Sequence, residues 1–129
     1  MPCDSPPAVV QIQDDHGGEI DRYLGQAGLF RACRAKVRIA GACYSACTIY
    51  LGVPGICADR NAVFGFHAAY IPGRFGETTP GTQAASAAML ASYPGPVKAW
   101  LGYRLTVAMK YLPAWRVARM GAVTLCGQP

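Results

Sequence analysis

Three short segments carry residues whose types and spacing could do chemistry. They are "DDHGG" at 14–18, "GACYSAC" at 41–47 and "FGFHAAY" at 64–70. The second contains Ser45 between two cysteines. A serine hydroxyl needs a base to become a nucleophile at neutral pH, and the third segment supplies His67 as the natural candidate.

The glycines of the first segment suit a complementary role. Gly17 and Gly18 have no side chains, so their N–H groups can approach a substrate carbonyl closely. Together with the N–H of Ala46, at the predicted start of a helix, they are expected to form an oxyanion hole. The helix dipole there favours a developing negative charge.

Simpler roles for the same residues stay open at this point. Ser45 is also of a type that often caps a helix N-terminus. His67 could be an ordinary strand histidine, and His16 is favoured as a surface turn residue over one that enters the site. Cys43 and Cys47 could be reactive thiols, but a disulfide or packing role is favoured, and a bridge between them would pin the turn that presents Ser45.

The elements that must position these segments can be predicted from residue patterns. β-branched runs indicate strands, and apolar residues at helical spacing indicate helices. The predicted order is a strand at 8–13, a helix at 19–33, a strand at 36–41, a helix from Ser45 to Gly52 and a strand at 62–70. Such alternation predicts a parallel sheet with right-handed crossovers, whose strand ends would bring the three segments together.

The second half of the chain is less regular. A loop rich in Gly, Pro and Thr is predicted at 71–82, followed by a helix at 83–93. Pro94 and Pro96 should separate it from a second helix at 96–105. The tail is predicted to hold a short helix and then an extended "AVTLC" ending.

Composition limits the class of protein. With 129 residues and just over half of them apolar, the chain should form a single domain over 1–129, with a Pro-rich lead-in at 1–7. The net charge is +5, but its densest basic cluster, 31–38, has no interleaved aromatic residues, so no nucleic-acid partner is expected. No apolar run is long enough for a membrane span. The apolar helices make a homo-oligomer plausible.

Six cysteines are many for this length. They form no C-x-x-C pair and no zinc-ligand spacing, so disulfides in an oxidising compartment are expected, with 15 possible connectivities. The first ten residues lack the features of a signal peptide. We therefore expect a mature periplasmic or secreted protein whose leader has been removed, with no metal or organic cofactor.

Taken together, the three segments resemble the Clp protease proteolytic subunit and its relatives of the ClpP/crotonase fold. The similarity is greatest to exported bacterial Clp-like proteins with a "CxSACT…GFH" signature, and it covers Val9 to about Tyr70. It implies an α/β, ClpP/crotonase-like fold, mainly parallel and shortened at the C-terminus. It further implies a serine peptidase acting on peptides or proteins, with Ser45 as nucleophile, His67 as general base, and oxyanion N–H groups from Gly18 and Ala46.

The chain departs from that family at the third member of the triad. No Asp follows Asp59, and the only acid after His67 is Glu77, in the predicted loop. The site could therefore be a Ser–His dyad, could use Asp14 or Asp15, or could be inactive. The alternatives are a catalytically inactive binding protein of the periplasm and an acyl-CoA enzyme of the crotonase type, for which no CoA-specific signature is present.

Overall fold

The structure, a computed structural model, describes Cys3 and residues 9–72, 78–80 and 83–127. Within these residues a six-stranded sheet and a separate pair of short strands combine with four α-helices and a 3-10 helix. The strands are β1 (Val10–Asp15), β2 (Val37–Tyr44), β3 (Ile56–Ala58), β4 (Val63–Phe66), β5 (Tyr70–Pro72), β6 (Thr78–Pro80), β7 (Lys110–Pro113) and β8 (Thr124–Leu125). The helices are α1 (Ile20–Ala32), the 3-10 helix Ser45–Gly52, α2 (Gln83–Ala91), α3 (Gly95–Trp100) and α4 (Ala114–Arg119). The predicted α/β class is confirmed.

Strand β2 is the centre of the sheet. It pairs in parallel with β1 along one edge, and its other edge is shared by β3 at the start and β4 at the end. β8 continues the sheet in parallel beyond β3, whereas β7 pairs antiparallel with β4. The sheet is therefore mainly parallel, as expected, with one antiparallel strand that the sequence pattern did not indicate.

The core lies against this sheet. Inward-facing side chains of β2 and β4, such as Ile39 and Phe64, are fully buried, and α1 contributes Ala27 and Phe30. The 3-10 helix is unusual because its residues from Ala46 to Leu51 are all buried. A helix without a solvent face is held by packing on every side, so the segment that begins at Ser45 is among the most enclosed of the chain.

Several predicted boundaries are wrong. The helix that begins at Ser45 is of the 3-10 type, and the strand predicted at 62–70 ends at Phe66. It ends there because the Ala68 N–H donates to the Thr106 carbonyl, 2.7 Å away, and not to a neighbouring strand. The loop predicted at 71–82 contains β5 and β6, which pair antiparallel.

In the C-terminal half, the observed helices differ in length from the predicted ones. The helix predicted at 96–105 is only α3, which ends at Trp100, with Pro94 as its N-cap residue. The short helix and extended ending predicted for the tail are confirmed as α4 and β8. β7, which lies between them and α3, was not predicted.

All six cysteines are paired, as Cys3–Cys33, Cys43–Cys47 and Cys57–Cys126. The expectation of disulfides is confirmed, and three bridges support an extracellular or periplasmic location. Over the described part of the chain, none of the helices combines the length and the apolar character needed to cross a membrane.

Candidate functional site

The three predicted segments meet at one edge of the sheet. β1, β2 and β4 are mutually parallel, so their carboxyl ends lie on the same side, in the order β1, β2, β4. The Gly17–Gly18 turn follows β1, Ser45 follows β2, and His67 follows β4. Ser45 is therefore flanked by the glycine turn on one side and by the histidine segment on the other.

Ser45 has a strained backbone. Its φ is +57°, in the left-handed region that costs a non-glycine residue roughly 1 kcal/mol. The N-cap residue of the 3-10 helix is Tyr44, and no side chain caps that helix, so the interpretation of Ser45 as a helix cap is wrong. A sharp, strained turn from a strand into a helix is the way several hydrolases expose a nucleophilic serine.

A disulfide brackets this turn. Cys43, on β2, is bonded to Cys47, in the first turn of the 3-10 helix, and both residues are fully buried. These cysteines are therefore not free thiols. The bridge fixes the residues on both sides of Ser45 and so limits the conformations that the turn can adopt.

A chain of two hydrogen bonds, the first partly buried and the second buried, holds the Ser45 carbonyl. The Thr48 hydroxyl donates to that oxygen at 2.5 Å, and the Tyr93 hydroxyl lies 2.6 Å from the Thr48 oxygen. Because a hydroxyl has only one hydrogen, Thr48 must accept from Tyr93. Thr48 is fully buried and Tyr93 is nearly so, and burial raises the pKa of Tyr93, which keeps it a neutral donor.

The Gly17 turn lies directly against Ser45. The φ of Gly17 is +98°, and a Cβ added there would lie 2.8 Å from the Ser45 Cβ and 3.2 Å from the Ala46 nitrogen. Only glycine fits this position. The Gly17 N–H donates to an Asp15 carboxylate oxygen at 2.8 Å, so that amide is already engaged.

Asp15 also links the Gly17 turn to helix α1. The same carboxylate oxygen accepts a hydrogen bond from the Tyr23 hydroxyl at 2.8 Å. Burial, with the Asp15 hydrogen bond and charge, raises the pKa of Tyr23, and burial followed by the Asp15 charge raises the pKa of Tyr50 to about 12. Both tyrosines are therefore neutral around Asp15 at physiological pH.

The geometry of His67 favours one tautomer. The residue is buried, 8 % exposed, and its Nδ1 lies 2.6 Å from the carbonyl oxygen of Ala68. A carbonyl only accepts, so Nδ1 carries the hydrogen of this bond. The Ala69 N–H donates to the Ser86 hydroxyl at 2.9 Å, which helps to fix the segment that carries the histidine.

The carboxylates proposed as substitutes for a triad acid have other partners. Asp14 accepts from the Ala42 N–H at 3.0 Å, and Asp15 accepts from Gly17 and Tyr23. Glu77 lies outside the described residues. Within the described ranges, no cluster of three or more His, Cys, Asp and Glu side chains is arranged to hold a metal ion.

An aromatic row borders the site. The Tyr44 ring packs edge-on against His16, 5.2 Å between centroids, and against Tyr111 at 5.5 Å. Gly65 makes room for it, because a Cβ there would lie 2.8 Å from the Tyr44 ring. His16 is exposed, as expected for a surface turn residue.

Sequence reasoning did not find Thr48, Tyr93 or the carbonyl of Ala68. Thr48 carries a local signal, since a threonine three residues after the first residue of a helix can bond back to its carbonyl. Tyr93 is 45 residues further along the chain, and no pattern links it to Thr48.

Comparison with known proteins does not assign this chain to a family. No protein-family model matches this chain, and no curated protein matches it significantly.

Proposed function

We propose that this protein is a serine hydrolase that cleaves peptide bonds, with Ser45 as nucleophile and His67 as general base. The observation that carries the proposal is the left-handed backbone of Ser45 at the turn from β2 into the 3-10 helix. Strain at a non-glycine residue persists only where the surroundings enforce it, and it concentrates at functional sites. Here a disulfide and two hydrogen bonds, one partly buried and one buried, support it.

In the proposed reaction His67 Nε2 takes the proton of the Ser45 hydroxyl while the serine oxygen attacks the substrate carbonyl carbon. The carbonyl oxygen becomes an oxyanion. Because the Gly17 N–H is engaged by Asp15, the oxyanion donors in this proposal are the N–H groups of Gly18 and Ala46. His67 then protonates the departing amine, and a water molecule hydrolyses the acyl-enzyme by the same steps.

In the proposed reaction the Ala68 carbonyl helps to orient the imidazole ring. It accepts from Nδ1, so Nε2 is the nitrogen that would take the serine proton. A carbonyl carries no full charge and stabilises the imidazolium less than a carboxylate does.

We further propose a ClpP/crotonase-like fold. The support is the order of three features after successive parallel strands: a glycine turn that touches the serine turn, the serine itself, and a histidine after β4. This order, and not a sequence match over the whole chain, is the basis of the proposal.

A binding protein without catalysis is the second candidate. The observation that favours it is the commitment of the Asp14 and Asp15 carboxylates to backbone N–H groups and Tyr23. Such a protein would keep the fold but would lack an activated serine.

Intact-mass analysis after treatment with a fluorophosphonate separates the two candidates. We expect one adduct on the parent protein, none on Ser45→Ala, and labelling slowed by about 100-fold or more in His67→Ala. Ser92→Ala is the matched control, because its hydroxyl bonds only to the local Met89 carbonyl among the described residues, and it should label like the parent. A folded parent that takes no label, or that keeps its label in Ser45→Ala, contradicts the hydrolase.

A further inference from the structure

A groove of about 730 Å³ lies between strand β1 and helix α1. At its base is the ring of Tyr50, from the 3-10 helix, whose centroid lies 5.4 Å from that of Tyr23 and 5.6 Å from that of Phe30. Ile12 of β1 adds a further apolar side chain to the lining. The groove therefore offers an apolar surface of the kind that holds the hydrophobic part of a small ligand.

The hydroxyl of Tyr50 is the unusual feature of this groove. The residue is only 6 % exposed, yet its hydroxyl has no hydrogen-bond partner among the residues that the structure describes. Within those residues no fully enclosed side-chain nitrogen or oxygen lacks a partner, so the small exposed part of Tyr50 includes this oxygen. A buried tyrosine hydroxyl normally has a partner, and this one is open only to the groove that it lines.

Two opposite charges act on this hydroxyl. Asp15 and Arg22 both line the groove, but they form no ion pair with each other. Burial, followed by the Asp15 charge, raises the pKa of Tyr50 to about 12 against the opposing effect of the Arg22 charge. The hydroxyl is therefore a neutral donor with a carboxylate and a guanidinium near it. Because these two charges do not pair, a ligand that carries both a positive and a negative group can bridge them.

The polar side chains of the groove keep atoms available for a ligand. Asp15 uses Oδ1 for the Gly17 N–H and the Tyr23 hydroxyl, whereas its Oδ2 has no hydrogen-bond partner in the described part of the chain. The exposed Arg22 guanidinium and the half-buried Gln26 amide have none there either. Arg22 and Gln26 are four residues apart on α1, so they lie on the same face of the helix, which borders the groove.

We propose that this groove binds a free α-amino acid with an apolar side chain. The ammonium group of the ligand donates to Asp15 Oδ2, at the end of the groove where Asp14 supplies a second carboxylate. Its carboxylate accepts from the Arg22 guanidinium and from the Tyr50 hydroxyl, and the Gln26 amide can bond to either group. The apolar side chain of the ligand lies on the aromatic rings at the base.

Isothermal titration calorimetry of the full chain with L-phenylalanine tests the class of ligand. We expect a Kd between about 0.05 and about 1 mM, which is ordinary for a ligand of this size. Phenethylamine lacks the carboxylate and 3-phenylpropionate lacks the ammonium group, so each should bind at least about tenfold more weakly. Equal binding of either analogue overturns the assignment of the two charges. A parent protein that binds no L-phenylalanine up to about 10 mM overturns the proposal as a whole.

Substitutions test whether the ligand lies in this groove. Tyr50→Phe removes only the hydroxyl and keeps the ring packing, and Arg22→Gln removes an exposed charge, so each should weaken binding of L-phenylalanine by at least about fivefold. Arg31→Gln is the matched control, because it removes the same charge from the exposed last turn of α1, outside the lining of the groove, and should bind like the parent. Unchanged binding in Tyr50→Phe or Arg22→Gln, or an equal loss in Arg31→Gln, overturns the site. None of these outcomes depends on whether Ser45 is a nucleophile.

Discussion

The two flanks of the candidate site are held in different ways. The Ser45 flank is fixed by a disulfide between fully buried cysteines and by two hydrogen bonds, one partly buried and one buried. The His67 flank follows a four-residue strand and is held by hydrogen bonds from Ala68 to Thr106 and from Ala69 to Ser86. The difference is that the serine turn is fixed by a covalent bond and by core side chains, whereas the histidine segment is fixed by hydrogen bonds of half-buried residues.

Removing a disulfide should cause the largest losses of folding stability. The two disulfides should differ in whether their removal also lowers the reactivity of Ser45. Cys57–Cys126 closes a loop of 69 residues and Cys43–Cys47 one of only 4, so loop entropy predicts losses of about 4 and about 2 kcal/mol. Paired alanine variants can be compared by denaturant unfolding. Fluorophosphonate labelling of the folded forms should nevertheless slow only when Cys43–Cys47 is absent. Equal labelling of both variants would mean that this bridge does not position Ser45.

Substituting alanine for a glycine on each flank compares how tightly the two flanks are packed. Gly17→Ala places a methyl group against the Ser45 Cβ and the Tyr44 carbonyl at a positive φ, and should cost about 1–3 kcal/mol and at least about tenfold in labelling rate. Gly65→Ala meets mainly movable side-chain atoms of Tyr44 and Met109, so its effect should be smaller. Gly25→Ala is the control, because it meets nothing within 4 Å and should stabilise α1. A Gly17→Ala protein that labels like the parent would contradict the close contact.

Removing one hydroxyl group from each flank compares the stability that their hydrogen bonds contribute. Thr48→Val removes the donor to the partly buried Ser45 carbonyl and the partner of the buried Tyr93 hydroxyl, at a cost of about 1–3 kcal/mol in unfolding free energy. Ser86→Ala removes one acceptor from the half-buried Ala69 N–H and should cost about 1 kcal/mol or less. Thermal unfolding measures both. If the two losses are equal, the Ser45 flank is no better fixed than the His67 flank.

The smallest predicted effect is on folding stability, appears only at high pH, and arises from Tyr50 in the 3-10 helix of the Ser45 flank. Folding raises its pKa from 10 to about 12, so the neutral form is favoured in the folded state. Its contribution to stability is complete below pH 10 and is lost as the pH rises through about 12. The melting temperature should therefore fall above pH 10, and less steeply in Tyr50→Phe. Parallel curves for the two proteins would contradict this assignment.

The sequence by itself determined the class of the fold and the neighbourhood of the site. β-branched runs and helical spacing are local properties, so β1, α1, β2 and β4 were predictable, with errors of up to four residues at their ends. Their alternation implied parallel strands, and parallel strands bring the segments that follow them to one edge. For that reason Gly17, Ser45 and His67 could be expected to lie together.

Only the tertiary structure decided how these residues are used. The left-handed φ of Ser45, the engagement of the Gly17 N–H by Asp15 and the donor from Tyr93 depend on atoms that are brought together by packing. The pairing of six cysteines was open for the same reason. Local patterns report the preferences of a segment, whereas hydrogen-bond partners and disulfides are set by which segments meet when the whole chain folds.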